Sequence, residues 1–186
     1  MKKYVRLTWF FPGVIMMIVI FMLSSQEAED STITSTNLGR GIILVKSSIL
    51  QENLSDDEVE KQALYIDYAV RKTAHATEYM TLCFLLCMGG ALSGITAGDS
   101  GQSALESGLT AGIVGFSKKL KPHITFWIIS SFYAVSDEIH QYFVPGRSAQ
   151  VSDVLLDSMG AFFGVIFFSI LLSCIYAVKK RVGELP

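Results

Sequence analysis

Four long apolar segments, separated by polar stretches, dominate the pattern of residues along the chain. They cover residues 4–23, 73–92, 124–143 and 154–178. A helix needs about 20 mainly apolar residues to cross the hydrocarbon of a bilayer, and each segment is about that long or longer. The pattern predicts an all-α fold: a polytopic membrane helix bundle with four transmembrane helices, forming one domain over residues 1–186. No A-x-A-like cleavage site follows the first segment, so we expect it to be retained as a helix.

The polar stretch between the first two segments, residues 24–70, has helical periodicity of its own. Ser55 and Glu58 have the spacing of a capping box, which starts a helix. Apolar residues recur at helical spacing in two sets: Leu38, Ile42, Val45 and Ile49, then Val59, Ala63, Ile66 and Val70. We expect an amphipathic helical loop of two helices, the second running directly into the second span. Residues 95–121 are rich in Gly, Ser and Thr, and we expect a flexible connector there.

Composition and charge narrow the class of protein. Hydrophobic residues make up 51% of the chain and charged residues 17%, and the mean hydropathy is +0.43. The lipid bilayer is therefore the expected environment. The net charge of −2 argues against a nucleic-acid partner, because proteins that grip phosphate backbones normally carry a basic excess.

Basic residues cluster at ends that a four-span topology places on one side. By the positive-inside rule that side is the cytoplasm, so we expect a multi-pass protein of the cell membrane with both termini cytoplasmic. Residues 24–70 are rich in Asp and Glu, which fits an extracytoplasmic loop. The basic clusters are Lys2, Lys3 and Arg6, then Lys118, Lys119 and Lys121, then Lys179, Lys180 and Arg181.

Polar residues inside the predicted spans form the candidate site. A charged side chain in a membrane helix costs about 2.5–3.5 kcal/mol on insertion scales, so each needs a partner, a wet cavity or a function. The topology brings these residues to similar depth at the outer boundary, and Gly160 and Gly164 permit close approach of helices. We favour a functional pocket over a purely structural ion-pair network. The candidate residues are Arg71, Lys72, His75, Glu78, Tyr79, Asp137, Glu138, Gln141, Arg147, Asp153 and Asp157.

Three strings carry a resemblance to a known family: RKTAHATEY, SDEIHQYFVPGRSAQVSD and DSMGAFFG. They resemble the VanZ-like family of membrane proteins, and the likeness extends over essentially the whole chain. The resemblance implies a link to cell-envelope processes and to resistance against the glycopeptide antibiotic teicoplanin. Carried over by motif, it points to the same eleven residues.

Three functions compete at this stage. The first is binding of an anionic envelope lipid or its head group, or of a glycopeptide-related ligand, by Arg71, Lys72 and Arg147. The second is an enzyme acting on a lipid-linked envelope intermediate, with His75 and Glu78, or Asp137 and His140, as acid–base or metal-binding pairs; no G-x-S-x-G or H-E-x-x-H motif supports it. The third is a small transporter, which would have to oligomerise. We assign no catalytic residues and no metal ligands; the cofactor and the oligomeric state stay open.

Overall fold

The structure, a computed structural model, describes residues 7–93 and 109–182, apart from the side chains of residues 109–122 and 179–180. This described part is all-helical and contains no strand, so the all-α part of the prediction is confirmed there. A 3-10 turn at Thr8–Phe10 leads into the first helix. The helices are α1 (Phe11–Ser24), α2 (Ala28–Leu50), α3 (Asp56–Ser93), α4 (Leu109–Tyr142) and α5 (Val151–Arg181).

Helix α3 joins the predicted loop helix and the predicted second span into one helix of 38 residues. It begins where the capping box predicts. Both the backbone N–H and the hydroxyl of Ser55 donate to Glu58 Oε2, each at 2.8 Å. These contacts supply a local reason for the chain to turn into a helix at this point. The expectation of a second loop helix that runs directly into the second span is therefore confirmed.

Helix α2 packs along the first half of α3 through small residues. A Cβ on Gly39 would lie 3.3 Å from the carbonyl oxygen of Ala63, so the two helices approach closely there. Arg40 Nη1 lies 2.7 Å from Glu60 Oε2 across the same contact. The other buried residues of α2 are Ser31, Ser35, Thr36, Ile43 and Ser47. The apolar stripe of Leu38, Ile42, Val45 and Ile49 is exposed.

The second half of α3 forms the main core with α1, α4 and α5. Tyr79 and Leu82 of α3 are fully buried, as is Ile20 of α1. A Cβ on Gly160 would overlap the carbonyl oxygen of Ala76, and one on Gly164 would overlap that of Met80. The expectation that Gly160 and Gly164 permit close helix approach is confirmed.

Helices α3 and α5 are each long and apolar enough to cross a membrane. The segments Thr8–Ser24 and Ala28–Leu50 meet the same criterion only when taken together, and they are bent by 109°. The helices therefore support a membrane protein, while the count of four spans stays a prediction.

The predicted connector over residues 95–121 is partly wrong. Helix α4 begins at Leu109, well before the predicted third span. Leu109, Ile113, Phe116 and Leu120 recur at helical spacing, a signal hidden by the surrounding Gly, Ser and Lys residues. Residues 95–108 of the connector lie outside the described part of the chain.

We expect Gly160→Ala to destabilise the protein by about 1–3 kcal/mol, because the new methyl group would force the backbones of α3 and α5 apart. Thermal denaturation of the protein in detergent measures the effect. Gly41→Ala is the matched control, since a Cβ on Gly41 of α2 meets no atom within 4 Å. That control should be neutral or stabilising by up to about 1 kcal/mol, as alanine favours helix over glycine. Equal losses in both variants would contradict the close α3–α5 contact.

Candidate functional site

The candidate residues gather at one end of the core, where α4 ends, α5 begins and α3 passes its midpoint. Ala76 of α3 faces Gly160 of α5 and, one turn further along, Met80 faces Gly164, so α3 and α5 run parallel. Residues just before this contact on both helices are therefore brought to the same level. The structure in this way brings together groups that are far apart in sequence.

Asp137 of α4 is the centre of a buried hydrogen-bond network that reaches α1. Its side chain is only 3% exposed. The Oδ2 atom accepts hydrogen bonds from Ser24 Oγ at 2.8 Å and from Gln141 Nε2 at 3.1 Å. Asp137 Oδ1 has no hydrogen-bond partner among the described residues. One oxygen of this buried carboxylate is thus open to a further donor.

Arg147, in the turn between α4 and α5, ties that turn to the link between α1 and α2. Its Nη1 donates to Gln141 Oε1 at 3.1 Å and its Nε donates to the carbonyl oxygen of Gln26 at 3.0 Å. Gly146 precedes it with a φ of 76°, a conformation that suits glycine. Burial lowers the pKa of the Arg147 guanidinium, and the charge of nearby Arg71 acts in the same direction. An arginine nevertheless stays charged at any physiological pH.

Lys72 of α3 forms an ion pair with Asp153 of α5. This pair bridges the two helices just before their closest contact. Glu138 of α4 lines the same cavity as this pair. It accepts a hydrogen bond from the backbone N–H of Gln150 at 2.5 Å, which fixes the start of α5 against α4. The charges at this end of the site are therefore largely satisfied by the protein itself.

Arg71 is turned towards α2. Its Nη2 donates to Asp67 Oδ2 at 2.8 Å and to Thr32 Oγ1 at 3.0 Å. Asp67 also accepts a hydrogen bond from Ser35. The sequence analysis missed this role of Asp67, although an acid four residues before an arginine on a helix is a recognisable pairing signal.

His75, Glu78 and Tyr79 lie deeper along α3 and are poorly partnered. His75 Nδ1 and Glu78 Oε2 are 3.6 Å apart, too far for a hydrogen bond. Neither atom has a hydrogen-bond partner among the described residues, and the hydroxyl of the fully buried Tyr79 has none either. Asp157 of α5 is 3% exposed, and its Oδ1 atom also has no hydrogen-bond partner among the described residues.

The carboxyl groups of Glu78, Asp137 and Asp157 lie close enough to act on one another electrostatically. Asp137 lies within electrostatic range of both Glu78 and Asp157. Within the described part of the chain, none of the three forms an ion pair with a lysine or arginine. Most buried polar atoms in folded proteins are hydrogen-bonded, so a cluster of open acceptors is unusual.

A small polar cavity lies among some of the candidate residues. Its volume is about 10 Å³, room for about one water molecule. Arg71, Glu78, Tyr79, Asp137 and Arg147 do not line it. The lining residues are Lys72, His75, Glu138, Gln141, Asp153, Leu156 and Asp157.

The arrangement suits recognition of hydrogen-bond donors better than metal binding. Within residues 7–93 and 109–182, no group of three or more His, Cys, Asp or Glu side chains is placed to hold a metal ion. Asp137 and His140 do not form an acid–base pair: His140 Nε2 lies 3.0 Å from Ser25 Oγ, and the ring stacks on Phe21. His75 with Glu78 is the one predicted pair whose side chains face each other.

Comparison with known proteins identifies a family. A family model described as VanZ/LLP1 matches residues 9–172, most of the chain. Comparisons with curated proteins and with solved structures give no significant match.

We expect Asp157→Asn to stabilise the protein by about 1–3 kcal/mol, because the amide cannot ionise in its buried position and brings a donor to a cluster with too many acceptors. Asp153→Asn is the matched control and should destabilise it, since it leaves Lys72 without its ion-pair partner. Thermal denaturation in detergent at neutral pH compares the two. A loss of stability in Asp157→Asn equal to that in Asp153→Asn would show that Asp157 is already satisfied.

Proposed function

The chain belongs to the VanZ/LLP1 family, and from this premise we propose that it is a multi-pass membrane protein whose polar cluster binds the head group of an anionic envelope lipid. One observation carries the binding proposal. Glu78, Asp137 and Asp157 each have a carboxylate oxygen without a hydrogen-bond partner among the described residues. Arg147 lies within electrostatic range of Glu78 and Asp137, and Lys72 lines the same small cavity as Asp157.

The open acceptors favour a ligand over a purely structural network. A structural network lowers the cost of burial by pairing its members, and unpaired buried polar groups cost about 1–3 kcal/mol each. Ligand hydroxyl or amine groups would supply the missing donors. Ionisable groups inside apolar helices are by default candidates for function.

The cations favour a ligand that also carries an anionic group. Lys72 and Asp153 are each about one-fifth exposed, so their ion pair is the accessible edge of the cluster. A phosphate is a strong partner for lysine and arginine and would compete with Asp153 for Lys72. The cavity has room for about one water, so a head group enters only when this ion pair separates.

The proposed topology has four spans, with the cluster at the outer face and both termini in the cytoplasm. It is supported by the apolar character of α3 and α5 and by the basic clusters in the sequence. A site at the outer face fits the link to teicoplanin resistance that the family resemblance implies, because an external antibiotic meets that face first. A glycopeptide-related ligand is the corresponding alternative.

An enzyme acting on a lipid-linked envelope intermediate is the second candidate function. The facing of His75 and Glu78, 3.6 Å apart, favours it, since a modest shift would make a hydrogen-bonded acid–base pair. Under this alternative His75→Gln abolishes turnover while the lipid still binds. Under the binding proposal there is no turnover to lose.

The topology predicts opposite accessibility for two loops. In a cysteine-free background, Glu52→Cys should react with a membrane-impermeant maleimide in intact cells, because it lies in the proposed outer loop. Lys119→Cys should react only after the cells are permeabilised, because a basic cluster stays on the cytoplasmic side. Labelling of Lys119→Cys in intact cells would overturn the proposed orientation.

The binding proposal predicts that Lys72→Gln weakens retention of anionic lipid by on the order of tenfold, as a charge-assisted hydrogen bond is worth about 1.5–3 kcal/mol. Native mass spectrometry with phosphatidylglycerol, against phosphatidylcholine as the zwitterionic reference, measures this loss.

Arg40→Gln is the matched control for that measurement. It also removes a cation from an ion pair, but Arg40 pairs with Glu60 on the contact between α2 and α3, away from the cluster. We expect Arg40→Gln to bind as the wild type does. Equal retention of phosphatidylglycerol by the wild type and by Lys72→Gln, both correctly folded, would refute the proposal.

A further inference from the structure

An open apolar groove lies between α3 and α5 on the surface of the bundle. Its volume is about 230 Å³. The groove exists because Gly160 lies against Ala76, and neither residue has a side chain long enough to fill the space above their contact. Its lining residues are Lys72, Thr73, Ala76, Thr77, Met80, Leu156, Gly160 and Phe163.

The groove begins where the polar cavity ends. Lys72 and Leu156 line both, so the two spaces adjoin at these side chains. Lys72 is held there by its ion pair with Asp153 and by the ring of Tyr68, whose centroid lies 5.2 Å from the lysine Nζ. A cation therefore stands at one end of the groove, and apolar side chains such as Met80 and Phe163 lie further along it.

This order of charge and apolar surface matches the order of groups in a lipid. The groove is formed by α3 and α5, the two helices that are each apolar and long enough to cross a bilayer. Its apolar lining would therefore face hydrocarbon, and its cationic end would face the head-group level. A small polar ligand would not contact the apolar part of the groove, whereas a lipid would contact the cationic end and the apolar part together.

We propose that the groove between α3 and α5 binds an acyl chain of an anionic lipid, which reaches the polar cavity sideways from the bilayer. This inference rests on the proposed function, because it takes the head group to be the ligand of the polar cluster. Leu156 and the Lys72–Asp153 pair then form the boundary that the head group crosses. The acyl chain stays in the groove and keeps the head group at the level of the cavity.

Photo-crosslinking with phosphatidylglycerol that carries a diazirine on its acyl chain tests this proposal. In the wild type, labelling should concentrate at Met80 and Phe163, and should exceed labelling at Phe132, an exposed residue of α4. Phosphatidylcholine with the same diazirine should show no such concentration. Thr77→Trp, which fills the groove from an exposed position, should reduce labelling at Met80 and Phe163 to the level at Phe132.

Leu155→Trp is the matched control. Leu155 is exposed on α5 next to Leu156, but it does not line the groove, so labelling should remain as in the wild type. Equal labelling of Phe132 and Met80 in the wild type, or unchanged groove labelling in Thr77→Trp, would overturn the inference. A disulfide that joins two copies of a Met80→Cys variant in a cysteine-free background would overturn it as well, since the groove would then be a contact between copies.

A soluble probe separates this inference from the proposed function. Dihexanoyl phosphatidylglycerol has the same head group but chains too short to fill the groove. Equal binding of this short-chain lipid by the wild type and Thr77→Trp, together with diazirine labelling of the groove in the wild type alone, would support both the proposed function and the groove inference. If both proteins bind it and the groove is not labelled, the groove inference alone fails. If neither phosphatidylglycerol probe binds the wild type, the proposed function fails and the inference falls with it.

Discussion

The backbone contact between α3 and α5 is the constraint on which the rest of the site depends. Gly160 and Gly164 meet the carbonyl groups of Ala76 and Met80 with no room for a Cβ. In lipid there is no hydrophobic gain from joining two apolar helices, so such close contact supplies the packing energy instead. The same contact fixes the register of the two helices. It places Lys72, one turn before Ala76, within reach of Asp153, two turns before Gly160, and leaves an apolar groove on its outer side.

Charge is distributed unevenly around this contact. At the end where α5 begins, the cations have partners: Lys72 has Asp153, and Arg147 has Gln26 and Gln141. Deeper in the bundle, Glu78 and Asp157 have open oxygens and no ion pair within the described residues. Burying an unpaired carboxylate is costly, and breaking a buried ion pair is costly because it leaves one charge unpaired. The site therefore combines a stable edge with an interior whose acceptors are unsatisfied.

Sequence patterns were sufficient to predict the structure where it depends on residues close together on one helix. The capping box at Ser55 and Glu58 and the spacing of Gly160 and Gly164 each involve neighbours on one helix, and the structure has them as predicted. The pairing of Arg71 with Asp67 is also local, but the full direction of the Arg71 side chain could not be predicted in this way. It depends on Asp67 and Thr32, and Thr32 belongs to a helix whose packing face is made of small polar residues. Hydrophobic periodicity cannot identify such a face, because in a membrane protein an apolar stripe need not be buried.

The order of groups along α3 and α5 also constrains how the proposed lipid would sit. Lys72 and Asp153 come before Glu78 and Asp157 on these parallel helices, so the cation lies at the edge and the open acceptors lie up to two turns further in. An anionic group at the level of Asp157 would meet several carboxyl groups, and each ionised one would repel it. The phosphate of the proposed lipid would therefore lie at Lys72, and the interior would accept hydroxyl or amine donors. A head group with no such donor would leave Asp157 without a hydrogen-bond partner and gain little from entering the cavity.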